Sequence, residues 1–178
     1  MSYKTILVHV DDSMHLAARI DVAAKIAIAQ DAHLIGAALT GISRFIEEAV
    51  ASNPYNPAIT PHLESLRQRA SARLDKFDEQ VQRLGVHSFE RRLIDDEAGG
   101  GISLQARHSD LVVVGQSDPE EPTRAVDADL PECVAITAGT PVLIVPSADV
   151  FPNVGMHVLI AWNGSREARR AVQDACHC

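Results

Sequence analysis

Asp110-Leu111-Val112-Val113-Val114-Gly115 decides the fold. Four consecutive branched aliphatic residues cannot make a strand with one solvated face. The run therefore predicts a strand buried on both sides, as in a parallel sheet covered by helices. In open α/β sheets ligands collect beyond the carboxyl ends of such strands, where a glycine lets the chain turn and lets backbone approach a phosphate. Gly115 thus marks the candidate site, and residues 116–138 decide what it can hold.

The flanking sequence supplies the rest of such a sheet. Residues 5–10 are β-branched and apolar, turn at Asp11-Asp12-Ser13, and lead into a helix with Leu16, Ile20, Ala23, Ala24 and Ala27 on one face and Asp12 or Ser13 as N-cap. Residues 33–40 predict a second strand, giving a parallel pair with a right-handed crossover. Residues 41–51 predict a short helix, which Pro54, Pro57 and Pro61 end. A long helix is expected over residues 62–84, with Leu63, Leu66, Ala70, Leu74, Phe77 and Val81 inward and Gly85 as its stop. Residues 86–95 alternate loosely, as in a strand near a sheet edge, and residues 102–108 predict a short helix entered through Gly99-Gly100-Gly101. After the central strand come a polar loop, a helix from about residue 127 to 138 with Pro131 in its first turn, and a fifth strand at residues 141–146. Five strands alternating with helices define a doubly wound, three-layer α/β/α domain with a five-stranded parallel sheet over residues 1–146.

Residues 147–156, with Pro152 and Gly155, read as a linker. Beyond it His157-Val158-Leu159-Ile160-Ala161-Trp162-Asn163-Gly164-Ser165 overlays Thr5-Ile6-Leu7-Val8-His9-Val10-Asp11-Asp12-Ser13 at a constant offset of 152, and Ala168, Ala171, Val172 and Ala175 repeat the helix face. Residues 157–178 are expected to be the first strand and helix of a second, incomplete repeat. Such a unit belongs to a longer tandem protein, or docks on its own or a neighbouring sheet.

At 178 residues the chain can bury a core without staples. Cys133, Cys176 and Cys178 form no disulfide framework, and no run reaches the roughly 18 apolar residues of a membrane span, so a cytoplasmic location without a membrane partner is expected. A net charge of -8 with aromatics at 4% argues against nucleic acid, whose binding needs a basic face and, for single strands, stacking rings.

In this order, three runs resemble the universal stress protein family in its tandem-repeat form. They are Ile6-Leu7-Val8-His9-Val10-Asp11-Asp12-Ser13 for the opening strand and V-D-G-S turn, Ser109-Asp110-Leu111-Val112-Val113-Val114-Gly115 for the fourth strand, and Ala138-Gly139-Thr140-Pro141-Val142-Leu143-Ile144-Val145 for the last. The resemblance implies a flavodoxin-like, adenine-nucleotide α-hydrolase-like domain of strand order 3-2-1-4-5, and a homodimer through the last strand or a pseudo-dimer between repeats. ATP-binding members resemble G-x2-G-x9-G-[ST] after the fourth strand, the glycines letting backbone N–H groups wrap the phosphates. Here Gly115 stands at the first position, Asp118 at the second glycine, and Ala128 and Asp129 at the final glycine and hydroxyl. Asp11 matches the family's adenosine-contacting aspartate, and Leu39 the position whose backbone meets adenine.

Asp118, Glu120, Glu121, Asp127, Asp129 and Glu132 stand against Arg124 in the loop that should hold a triphosphate. Like charges about 4 Å apart cost roughly 1 kcal/mol in water and about 4 kcal/mol at a semi-buried surface, and several together cancel micromolar affinity. The loop reads as a solvated cap on a helix N-terminus, with a divalent cation or a basic partner as the functional alternative. Gly99-Gly100-Gly101 reads as a flexible turn against an anion cradle, and Cys176-His177-Cys178 lacks a zinc-site spacing. His9 reads as a packed core histidine and Cys133 as a small buried side chain. No Ser-His-Asp order or nucleophile elbow is present. The expectation is a non-catalytic stress-response or regulatory protein without a cofactor, its first domain degenerate for ATP. The alternatives are an adenine-nucleotide sensor, taking AMP, adenosine or ATP, and a nucleotide hydrolase of the adenine-nucleotide α-hydrolase class.

Overall fold

The computed structural model of the chain describes residues 2–43, 59–118, 129–147 and 154–176. Thr5–His9 (β1), Leu16–Gln30 (α1), His33–Leu39 (β2), Ile59–Leu84 (α2), Phe89–Ile94 (β3), Ala98–Ala106 (α3), Leu111–Gly115 (β4), Leu130–Thr137 (α4), Val142–Val145 (β5) and Arg166–Ala175 (α5) follow one another. The strands form one parallel sheet in the order β3-β2-β1-β4-β5, the doubly wound arrangement that the alternating sequence predicts.

The aliphatic run at β4 is buried from end to end. Its side chains alternate between two cores. Leu111 and Val113 join Ile6, Val8, Ile20 and Phe77 on the α1/α2 side, whereas Val112 and Val114 join Leu7, Ile102 and Val134 on the α3/α4 side. Each such burial contributes about 1.5–3 kcal/mol, which is why neither face of the run tolerates a polar residue. The acid at its head has a separate task. Asp110 Oδ2 accepts the backbone N–H groups of Lys4 at 2.8 Å and Thr5 at 2.9 Å, tying the start of β4 to the start of β1.

Three expectations change. Gly99-Gly100-Gly101 is the first turn of α3 itself, not a flexible lead-in. A Cβ on Gly101 would overlap Leu39 Cδ2, and one on Gly99 would lie 3.1 Å from Cys133 Sγ, so the glycines let α3 approach β2 and α4 closely. The long helix starts earlier than its apolar face suggests, with Pro61 inside the first turn, where its missing N–H is harmless. Residues 157–163 form no strand, and Val158, Leu159, Ile160 and Trp162 are exposed. A strand needs a ladder partner, and among the described residues none is paired with this segment. The helix that follows does form, and Tyr3 Oη donates to the Asp174 carbonyl at 2.7 Å. Most of the short helix expected at 41–51 and of the linker expected at 147–156 falls outside the described residues, as do residues 177 and 178. Among the described residues no helix is long and apolar enough to cross a membrane.

Gly36 in β2 provides a direct test of how tightly the α2 side is packed. A Cβ there would lie 2.6 Å from Phe77 Cε1, and the Phe77 ring is fully buried and set edge-on to Phe89, centroids 6.2 Å apart. Gly36→Ala is expected to lower stability by about 1–3 kcal/mol, seen as a lower urea midpoint at unchanged slope. Phe77→Leu in the same chain should offset part of that loss.

Candidate functional site

A cleft of about 460 Å3 opens at the carboxyl ends of β1 and β2. His9 and Asp11 come to it from the end of β1, Leu39 from β2, Gly99 from α3, Cys133 from α4 and Arg73 from α2. The chain passes from β1 to β2 on one side, while β4 pairs with β1 on the other, so the cleft lies beside the topological switch point of the sheet.

Asp11 organises the turn that leaves β1. Its Oδ1 accepts the Ser13 N–H at 3.0 Å, and Ser13 in turn accepts the His15 N–H on its hydroxyl at 3.1 Å and the Leu16 N–H on its carbonyl at 3.1 Å. These bonds draw the chain into α1. The helix proper begins two residues later than an N-cap at Ser13 would place it, with His15 at the cap position and no side-chain cap bond.

Beneath this turn lies a buried ion pair that the sequence reading missed. Arg19 donates from Nη1 to Asp11 Oδ2 at 3.1 Å and from Nη2 to Asp11 Oδ1 at 2.8 Å. Arg19 is 1% exposed and the Asp11 side chain 15%. An ionised carboxylate has about four lone-pair sites. Arg19 and Ser13 fill three of those on Asp11, and His9 Nδ1 stands 3.7 Å from Oδ2. A signal for Arg19 was present: three residues after Leu16 and four before Ala23, it sits on the core face of α1, where a cation needs a carboxylate.

Gly115 also packs against this ion pair. Its φ is not among the positive values found at Gly41, Gly85 and Gly139. A Cβ on it would instead lie 3.1 Å from Arg19 Cζ, 3.2 Å from Nη2 and 3.3 Å from Nε, so the guanidinium lies flat on the bare face of the glycine.

The remaining predicted residues divide between the cleft and its surroundings. The Leu39 carbonyl accepts Arg73 Nη1 at 3.2 Å, and Arg73 also pairs with Asp12, to which Arg69 Nη2 comes within 3.7 Å. Asp118 is turned toward α1, its Oδ2 3.2 Å from His15 Nε2. Asp129 stands at the cap position of α4 without a side-chain cap bond, and its carbonyl accepts the Cys133 N–H at 2.9 Å. Asp11 and Leu39 therefore line the cleft, whereas Gly115, Asp118 and Asp129 do not. Ala128, Glu120, Glu121, Arg124 and Asp127 lie outside the described residues. His9 is buried, as expected. Cys133 is exposed instead, because α4 turns Val134 into the core and leaves the residue before it on the flank facing Gly99. Among the described residues no group of three or more His, Cys, Asp or Glu is placed to hold a metal ion.

No protein-family model matches the chain, and no curated protein matches it. Solved structures do. A universal stress protein from Lactobacillus plantarum is 22% identical at a TM-score of 0.64, over 82% of this chain and 99% of its own. A universal stress protein in complex with cAMP is 24% identical at 0.57, over 82% and 98%. One from Archaeoglobus fulgidus in complex with dAMP is 15% identical at 0.53, over 82% and 99%. The fold class is thus flavodoxin-like α/β with strand order 3-2-1-4-5. Within that class the fold is the one that universal stress proteins adopt.

The ion pair predicts an asymmetric mutational pattern. Asp11→Asn strands a buried guanidinium and is expected to cost about 3–5 kcal/mol in urea unfolding. Adding Arg19→Met removes the stranded charge and should recover most of that loss.

Proposed function

We propose that this chain is a non-catalytic protein of the universal stress type, active through assembly or regulation, whose first domain at residues 1–146 does not take ATP. The observation that carries the reading is that the groups the family resemblance reserves for adenosine are already engaged. The Asp11 carboxylate is held by Arg19 and the Leu39 carbonyl by Arg73. A ribose hydroxyl would meet a carboxylate with three of its roughly four acceptor positions taken, and adenine a carbonyl already shared with a half-buried guanidinium. Asp118 and Asp129 add to this, standing where the resemblance places a glycine and a hydroxyl. The absence of a nucleophile elbow in the sequence supports a role without catalysis.

Residues 157–178 are read as the start of a second repeat. Asn163 Oδ1 accepts the Ser165 N–H at 3.0 Å, the same turn that Asp11 and Ser13 make at 3.0 Å, and Ser165 Oγ then accepts the Ala168 N–H at 3.0 Å. Assembly as a homodimer, or as a pseudo-dimer between repeats, would use β5, the edge strand on which Ile144 is exposed.

A second reading is an adenine mononucleotide sensor. Two of the similar structures hold cAMP and dAMP, and a cleft of about 460 Å3 falls in the range of roughly 300–1,000 Å3 usual for small-ligand sites. Calorimetry with ATP, AMP and adenosine, and extraction of the purified protein for bound nucleotide, separate the two. The leading reading expects no co-purified nucleotide and affinities weaker than about 1 mM. Low-micromolar ATP binding would overturn it, and binding of AMP without ATP would put the sensor in its place.

A further inference from the structure

We propose that Arg19 is the residue that closes this cleft to adenine ribosides, acting as an internal counter-ligand for Asp11. The proposal rests on the reading of Asp11 as the end of a nucleoside site, and it assigns the closure of that site to one side chain. An acid that recognises a ribose at the carboxyl end of a strand does so by accepting its hydroxyls, which draws on the lone pairs and charge that its existing partners leave, here one position of about four. Arg19 takes one bond on each oxygen of Asp11, the bidentate fork that binds a carboxylate most strongly, and the Ser13 N–H takes a third position.

The arginine has nowhere to withdraw. It is 1% exposed and lies between the Asp11 carboxylate and the bare face of Gly115, so leaving the carboxylate would strand its charge in the core. A ligand hydroxyl, neutral and arriving from solution, competes poorly with a guanidinium held in place by the fold. Arg73 on the Leu39 carbonyl is a weaker obstacle, since its side chain is 18% exposed and also pairs with Asp12, which is 41% exposed.

The repeat within the chain provides an internal comparison. At the offset of 152, Asn163 stands for Asp11 and Ala171 for Arg19. The acid and the arginine change together. The turn itself survives the change, because Asn163 Oδ1 still accepts the Ser165 N–H. The turn therefore needs only an acceptor at this position, and the negative charge of Asp11 accompanies Arg19.

Calorimetry with adenosine and AMP on the wild-type chain, Arg19→Leu, and Arg19→Leu with Asp11→Asn tests the assignment, each variant first shown to unfold cooperatively in urea. Leucine keeps the core face of α1 apolar and frees the carboxylate. The wild type is expected to give no heat, and Arg19→Leu to bind adenosine at least about tenfold more tightly than the wild-type limit. Asp11→Asn should abolish that gain. Arg19→Met is measured in the same way, so that the answer does not depend on one replacement folding. Folded Arg19 variants as silent as the wild type, or a gain that persists after Asp11→Asn, would overturn the proposal while leaving the closed-cleft reading intact. Tight adenosine binding by the wild type would instead overturn that reading.

Discussion

The guanidinium of Arg19 is the charge around which the cleft end of this sheet is built. A buried cation has no water to fall back on, and the desolvation of each ion amounts to several kcal/mol, so it persists only where a partner is placed with good geometry. Three local features follow from that demand. Asp11 is set just past the end of β1 and fixed by the Ser13 N–H, so that both oxygens face α1. The first turn of α1 is arranged through Ser13 to bring residue 19 under that carboxylate. β4 ends in a residue without a side chain, because a methyl group at position 115 would lie 3.1 Å from Arg19 Cζ.

The sheet makes this arrangement possible. β4 is enclosed by β1 and β5 and covered on both faces, which holds Gly115 in register over α1. On the opposite face the glycines opening α3 let it settle against Leu39, drawing the far wall of the cleft toward the end of β2. The cleft is therefore shaped by close approach on both sides, with small residues where backbone and side chain meet. Part of its polar lining is satisfied by its own chain, since Asp11, Asp12 and the Leu39 carbonyl each have an arginine partner.

Periodicity made the scaffold legible. The double burial of residues 111–114, the alternation of strand and helix patterns and the loose pattern of the edge strand at Phe89–Ile94 all follow from which faces must leave water. The site was harder to read for reasons that are equally physical. Counting only apolar positions on α1 hid the one cation among them. Gly115 looks the same in sequence whether the missing methyl makes room for a phosphate or for a guanidinium. The three glycines at 99–101 carry a helix penalty of about 1 kcal/mol each relative to alanine, which argues for a loop until the close contacts of α3 with β2 and α4 are known. The apolar run at 158–162 has the pattern of a strand but no ladder partner among the described residues, and pattern alone does not supply one.

The likeness to universal stress proteins accounts for the frame, and within it the carboxylate at the end of β1 is paired with a buried arginine of α1. The most direct measurement is the side-chain NMR of the arginines in protein labelled with 15N. A guanidinium pinned on both Nη atoms and buried rotates slowly and is protected from exchange, so resolved Nη proton signals are expected for Arg19, assigned by their loss in Arg19→Met and unchanged by millimolar adenosine. Free rotation and rapid exchange at Arg19, or a shift of its signals as adenosine is added, would contradict the account.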